Sequence, residues 1–274
     1  MKWNLMLIVA QKECKDRIRN RWVLAVAVVF SIFALVIAYF GAAQQGAVGF
    51  RSIEMTIASL VSLVIYLIPL IALLLGFDAI VGERERGSLD LLCAMPLTRG
   101  EILLGKYLGL AAALTLATVG GFSLVGLLWI QKLTVNDLFH YVGFMLSAVL
   151  LGWVFLSIAV MISVFAQDRT RASGMAIAVW FFFVLVFDLV LLGALVYSGG
   201  QYGGELFAYL LLLNPTDVFR VLNIFRLDDV RTLYGLATVM PGYLADQRLL
   251  SAVMCVWIVL PLWIAGIRFN QAGR

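Results

Sequence analysis

Charge is scarce in this chain: 13% of its 274 residues are Asp, Glu, Lys or Arg, against about 25% in ordinary soluble domains. With 63% hydrophobic residues and a mean hydropathy of +1.02, water is the wrong solvent for most of it. The wealth of Leu, Ile, Val and Phe also excludes a disordered or collagen-like chain. Histidine occurs once, at His140, so no Ser-His pair suggests itself within a buried span and no H-E-x-x-H zinc motif exists. Lysine is missing from the interiors of the long apolar runs, which removes a Ser-Lys dyad deep in a membrane. His140 then reads as an interfacial hydrogen-bonder, and no catalytic role is expected of the chain. The three cysteines, Cys14, Cys93 and Cys255, lie far apart without paired spacing. Neither a disulfide framework nor a thiolate metal site can be built from them within one chain. No G-x-x-x-x-G-K-[ST] phosphate cradle occurs, so any nucleotide-driven motor must be another chain. No internal repeat is evident, against the inverted repeats common in secondary transporters. A net charge of +4 could suggest nucleic acid, but the placement of the positive residues follows membrane topology instead.

What the chain has is long apolar runs. A run of about 20 apolar residues crosses the hydrocarbon core as a helix, because there the backbone must satisfy its own hydrogen bonds. Six stretches qualify: Trp22 to Ala43, Thr56 to Val81, Ile102 to Ile130, Leu138 to Ala166, Ser173 to Ser198 and Leu249 to Ile267. The only basic residue within them is Lys106, close enough to an end to snorkel out. Assigned to loops, 14 of the 20 Lys and Arg fall on one side, which places both termini in the cytoplasm. Gly41-Ala42-Ala43 resembles a signal-peptide cleavage site, but the preceding run is longer than a signal h-region, which favours a retained span.

Before the first span, Trp3, Leu7, Ala10, Cys14, Ile18 and Trp22 recur at steps of three or four, with Lys2, Lys12, Lys15 and Arg19 between them. This is an amphipathic helix with a basic face, suited to the cytoplasmic headgroup layer of a lipid bilayer or to docking a soluble partner. Gly105 and Gly109 make a small-xxx-small face at the start of span three, and Gly120-Gly121 lie farther along it, which supports close packing against a helix of the same chain or of a twin.

Gly82 to Lys106 reads GERERGSLDLLCAMPLTRGEILLGK. Gly87 can break the preceding helix, Ser88 can cap a new short one, Asp90 suits its positive end and Pro96 stops it. Thr98 and Glu101 then form a capping box opening span three. The expected product is a short helix parallel to the membrane with Leu89, Leu91, Leu92 and Met95 apolar. Generic physics leaves it open between an interfacial turn and the occupant of a partner's groove.

The run Glu83-Arg84-Glu85-Arg86-Gly87-Ser88-Leu89, followed by Leu92, Pro96, Arg99, Glu101 and Gly105-Lys106, resembles the signature between the second and third spans of type-2 ABC transporter permeases. Supporting segments are Gln167 to Gly174, Phe187-Asp188-Leu189 and Leu213 to Arg220, so the resemblance spans essentially the whole chain. It is nearest to the permeases that serve maturation of nitrous oxide reductase. The resemblance implies a homodimer in the bacterial inner membrane. It implies a cytoplasmic ATPase subunit that binds ATP and Mg, and a periplasmic β-helical partner, together assembling a copper-sulfur centre. Ser88 to Met95 would be the coupling helix inserted into a cleft of the ATPase, and the Glu-Arg-Glu-Arg run would grip its surroundings through charge pairs. The expected fold is all-α: an amphipathic cytoplasmic helix over 1–21, a six-span domain over 22–267 with a coupling loop at 82–101 and an outer loop at 199–248, and a cytoplasmic tail over 268–274. The competing readings are an exporter of a lipid, polysaccharide or drug, and a passive membrane anchor of a redox complex.

Asp188 is the carboxylate expected deep in hydrocarbon, near the middle of span five. An ionisable group there must be protonated, paired or wetted. It either faces a dimer interface or central pathway, or is a protonated acid bonded across helices. The outer loop is about fifty residues, too long for a simple connector. Asn214 as N-cap, Pro215 at the first helical position and Asp217 near the third start a helix through Arg226, while Tyr209 to Leu213 could re-enter the membrane. Asn214, Asp217, Arg220, Asp228, Asp229 and Arg231 are candidates for docking a periplasmic partner. Cu(I) prefers soft sulfur ligands, but no span presents a ladder of them: Met145 and Met161 are far apart, Met254-Cys255 diverge, and Cys93-Ala94-Met95 is cytoplasmic. The chain is therefore expected to bind no metal or cofactor of its own, and to move a sulfur species or transmit motion rather than conduct copper.

Overall fold

A computed structural model describes residues 3–40, 53–129, 134–197, 209–224 and 246–271. Among them no strand occurs, as an all-α membrane protein requires. Helices α1 (Trp3–Arg19) and α2 (Trp22–Phe40) are followed by α3 (Ile53–Gly76), then by the short α4 (Val81–Glu85) and α5 (Ser88–Cys93). Two 31-residue helices, α6 (Arg99–Trp129) and α7 (Val135–Phe165), come next. The fifth span is composite: α8 (Arg169–Phe181), a π turn (Phe182–Val186) and α9 (Phe187–Tyr197). Helix α10 (Pro215–Ile224) precedes the last span, α11 (Gln247–Gln271).

Five helical stretches are long and apolar enough to cross a membrane, and the α1–α2 pair, bent by 61°, raises the number to six if it counts as one broken span. The bend falls at Arg21, a non-glycine residue with φ of 55°, a left-handed geometry that disfavours continuation of the helix.

Helix α7 is the centre of the bundle, packed against α3, α6 and α11. Its most apolar window is 78% buried, against 17% for the α8–α9 span and 22% for α11, so the last two lean on the body along one face only. A capping box at Thr134 and Asp137 starts α7: the Thr134 hydroxyl accepts the Asp137 amide at 3.3 Å while the Asp137 carboxylate accepts the Thr134 amide at 2.9 Å.

The small-residue faces of α6 meet helices of the same chain. A Cβ on Gly109 would lie 2.5 Å from the Ala10 carbonyl oxygen and 2.7 Å from Glu13 Cβ, so only glycine lets α1 lie this close. Gly121 does the same for α2, with Phe30 Cβ at 2.6 Å. The stripe of α1 that is buried is Met6, Val9 and Ala10, whereas Leu7 and Ile18 are exposed. The inner face of α1 is thus turned from the expected one, because the grooves beside Gly105 and Gly109 select it.

Candidate coupling segment and its charge network

The chain leaves α3 through a turn whose amides would be orphaned but for one side chain. The fully buried Ser163 hydroxyl on α7 accepts the Ile80 and Val81 amides at 2.9 and 3.0 Å. Gly87, at φ of 70°, then ends α4 and serves as the N-cap position of α5. Ser88 is not that cap, as the sequence had suggested. Its hydroxyl turns back, donating to the Glu83 carboxylate and, at 3.3 Å, to the Glu83 carbonyl. Asp90 occupies the first turn as expected, and the Thr98–Glu101 capping box forms, with bonds of 2.9 and 3.2 Å.

The Glu-Arg-Glu-Arg run is held by charge on every side. Lys106, only 5% exposed, places its ammonium 3.1 Å from Glu83 and 3.0 Å from Glu13 of α1. Arg17 reaches both Glu13 and Asp78, at 3.5 and 3.4 Å, and Asp78 pairs with Arg169 at 3.0 Å. Arg169 returns to Glu85, donating its amide at 2.7 Å, with the guanidinium 3.7 Å away. Glu83 and Glu85 both lie on α4, so the ion pairs close a ring around that helix. Arg84 donates to the Ala166 and Val164 carbonyls at 2.9 and 3.4 Å, capping the α7 C-terminus. Arg86 donates to the Gly82 carbonyl at 3.0 Å and pairs with Glu83 at 3.9 Å. Arg99 donates to the Phe269 carbonyl at 3.2 Å and lies 5.3 Å from that ring, tying α6 to the end of α11.

Within this frame α5 is fixed at its base and open outward. Leu89 is buried and Leu92 half-buried, whereas Leu91 is 73% and Met95 43% exposed and Pro96 is at the surface. Glu13, Arg17, Asp78, Ser163 and Arg169 were not singled out in the sequence as parts of this site. Asp78, four residues before Gly82, was the one local signal.

A second polar cluster lies where α10 meets span five. Within the π turn, the Phe183 carbonyl accepts Asn214 Nδ2 at 2.9 Å and the Thr216 hydroxyl at 3.3 Å. Asn214 Oδ1 accepts the Thr216 amide at 3.1 Å, the N-cap the sequence indicated. Arg220 donates to Asp217 at 2.6 Å and to Asp188 at 3.2 Å. Asp188 is therefore ion-paired within its own chain, and its partner is a residue the sequence had assigned to an outer docking surface. Asn214 and Asp217 are 0% and 1% exposed and consumed by internal bonds, which corrects their reading as docking groups. All of α10 except Arg220 is buried, so protein covers it. Asp228, Asp229 and Arg231 lie outside the described residues. The His140 ring stands edge-on to Phe139 at 6.1 Å, and its buried Nδ1 finds no hydrogen-bond partner among the described residues.

The chain matches the model of the ABC-2 family transporter proteins over residues 7–274. It is 47% identical over 266 residues to a probable ABC transporter permease protein NosY of Stutzerimonas stutzeri, covering 96% of this chain and 93% of that one. It is 46% identical over 259 residues to a probable ABC transporter permease protein NosY of Pseudomonas aeruginosa, covering 93% and 92%. A multi-pass helical bundle with no phosphate cradle of its own, matched along nearly its full length, belongs to the ABC-2 transporter family as a membrane permease subunit.

Proposed function

We propose that this permease couples ATP hydrolysis by a separate cytoplasmic ATPase, NosF-like in the resemblance, to work across the bacterial inner membrane during maturation of the copper-sulfur site of nitrous oxide reductase. The work is export of a sulfur species, or transmission of motion to a periplasmic β-helical partner of the NosD kind, by a homodimer with both termini cytoplasmic. The observation that carries the reading is α5 itself. A six-residue helix that follows an α4 ringed by ion pairs, and that with the turn after it presents Leu91 and Met95 to solvent, is built to receive a push from outside. A loose loop would absorb the displacement of an ATPase; a braced one passes it on. ATP and Mg belong to the partner, and Ser88 to Met95 fill its cleft.

Affinity purification of the tagged permease from its native membrane tests this. The wild type carries a nucleotide-binding subunit with it, and Leu91→Asp combined with Met95→Asp loses that subunit while the permease still inserts and folds. Failure of any ATPase to co-purify with the wild type would leave a passive anchor as the better reading.

A further inference from the structure

Two carboxylates share one guanidinium where α9 meets α10, and they are not equivalent. Asp217 is 1% exposed and binds Arg220 at 2.6 Å from the same helix; Asp188 is 38% exposed and binds it at 3.2 Å from another. Only the second bond crosses between elements. Helix α10 belongs to the body of the bundle: Ser147 of α7 donates to Asn223 at 3.0 Å, Phe219 packs on Phe144 with centroids 6.3 Å apart, and α3 and α11 close around it. Span five is the loosely held element, tied at its cytoplasmic half by Arg169 and by the Trp180 indole donating to the Tyr66 carbonyl at 3.0 Å. Its outer half is held to α10 by the Asp188–Arg220 pair and by the Asn214 and Thr216 bonds to the Phe183 carbonyl. That carbonyl lies within the π turn of residues 182–186, a rare geometry that appears mostly as single turns inside α-helices.

We infer that Asp188, Arg220 and the Phe182–Val186 turn form a releasable latch between span five and α10, with Asp217 as the counter-charge that Arg220 keeps when the latch is open. A permanent brace needs one carboxylate. The second lowers the cost of release, because the part-buried Arg220 guanidinium keeps a counter-charge when the other carboxylate leaves. Asp188 lies at the surface of the helix bundle, 38% exposed, and the π turn can return to α-helical bonding without unfolding the span. The latch deepens the coupling reading above: it is the outer element that the push on α5 opens, with the Arg169 end of the same span seated in the ion ring around α4.

Hydrogen exchange read by mass spectrometry on the full-length permease with its ATPase subunit in lipid nanodiscs tests this, with and without a non-hydrolysable ATP analogue. In the wild type, amides of Phe182–Tyr197 and Pro215–Ile224 exchange about tenfold faster with the ATP analogue bound than without it, a local opening equilibrium constant changed by the same factor. Asp188→Asn exchanges at the fast rate in both states, and Asp188→Glu restores the difference. Wild-type exchange that is equal in both states, while α5 is protected by the ATPase, overturns the latch and leaves a static brace. An α5 with no protection in any state counts against the coupling reading instead. The nucleotide-free comparison of Asp188→Asn with wild type then still decides the latch: equal exchange overturns it.

Discussion

The Lys106 ammonium lies 3.0 Å from the Glu13 carboxylate across 93 residues of sequence, and the same nitrogen holds Glu83 at 3.1 Å. One cation thereby joins the first helix of the chain to the segment that precedes α5. Such a triad is costly to desolvate and costlier to break, since removing one partner strands the others.

Replacing Lys106 with Met leaves two carboxylates facing each other in a pocket that excludes water. A loss of about 3–5 kcal/mol is expected, with partial recovery when Glu83→Gln is added. Thermal unfolding of the purified permease in nanodiscs reads this. A Lys106→Met protein as stable as the wild type would mean that the triad contributes little.

The close approach of α1 to α6 at Gly109 predicts a sharp contrast between two glycines of one helix. Gly109→Val pushes α1 away and raises maleimide labelling of Cys14, which is only partly exposed. Gly100→Val, where an added Cβ meets nothing within 4 Å, leaves labelling unchanged. Equal labelling in the two variants would contradict the packing described.

Ser163→Ala removes the acceptor for two buried amides. The cost is about 1–3 kcal/mol for each unsatisfied donor, and hydrogen exchange through residues 77–87 should accelerate. Ser163→Thr keeps the oxygen and most of the stability. An Ala variant with unchanged exchange would require another acceptor for Ile80 and Val81.

At Asn214, capping and the tie to the π turn can be separated. Asp caps helices as well as Asn does, but it cannot donate to the Phe183 carbonyl and it sets a second negative charge beside Asp217, which Asn214 Nδ2 now approaches at 2.9 Å. Asn214→Asp should therefore destabilise at least as much as Asn214→Ala, by about 1–2 kcal/mol. A fully stable Asn214→Asp would show that only the cap matters. Denaturation midpoints of the three proteins settle the order.

Local chemistry made part of this legible in the sequence. The break at Gly87, the capping box at Thr98 and Glu101, and the start of α10 at Asn214 and Pro215 all follow from residues within one turn of each other, and all are present. The ion ring was not legible, because its members come from four separate stretches and pair across 61 to 93 residues at the links through Asp78 and Glu13. Asp188 was marked by its setting in an apolar run, but its partner was not. Arg220 lies in a stretch whose length read as an outer loop, and only the burial of α10 among α3, α7 and α11 brings it inward.

The π turn has a consequence for how span five faces its surroundings. A π turn holds one residue more than an α-helical turn, and at 3.6 residues per turn one residue is worth about 100° of rotation. Everything beyond Val186 is therefore offset in azimuth from the stripe that α8 sets up. Winding 182–186 into α-helical bonding with every residue kept would swing Asp188 by about a quarter of a turn away from Arg220, whereas deleting a single residue there would leave an uninterrupted helix with Asp188 facing as it does now. The meeting of the two charges depends on how those residues are wound, not on the chemistry of any one of them.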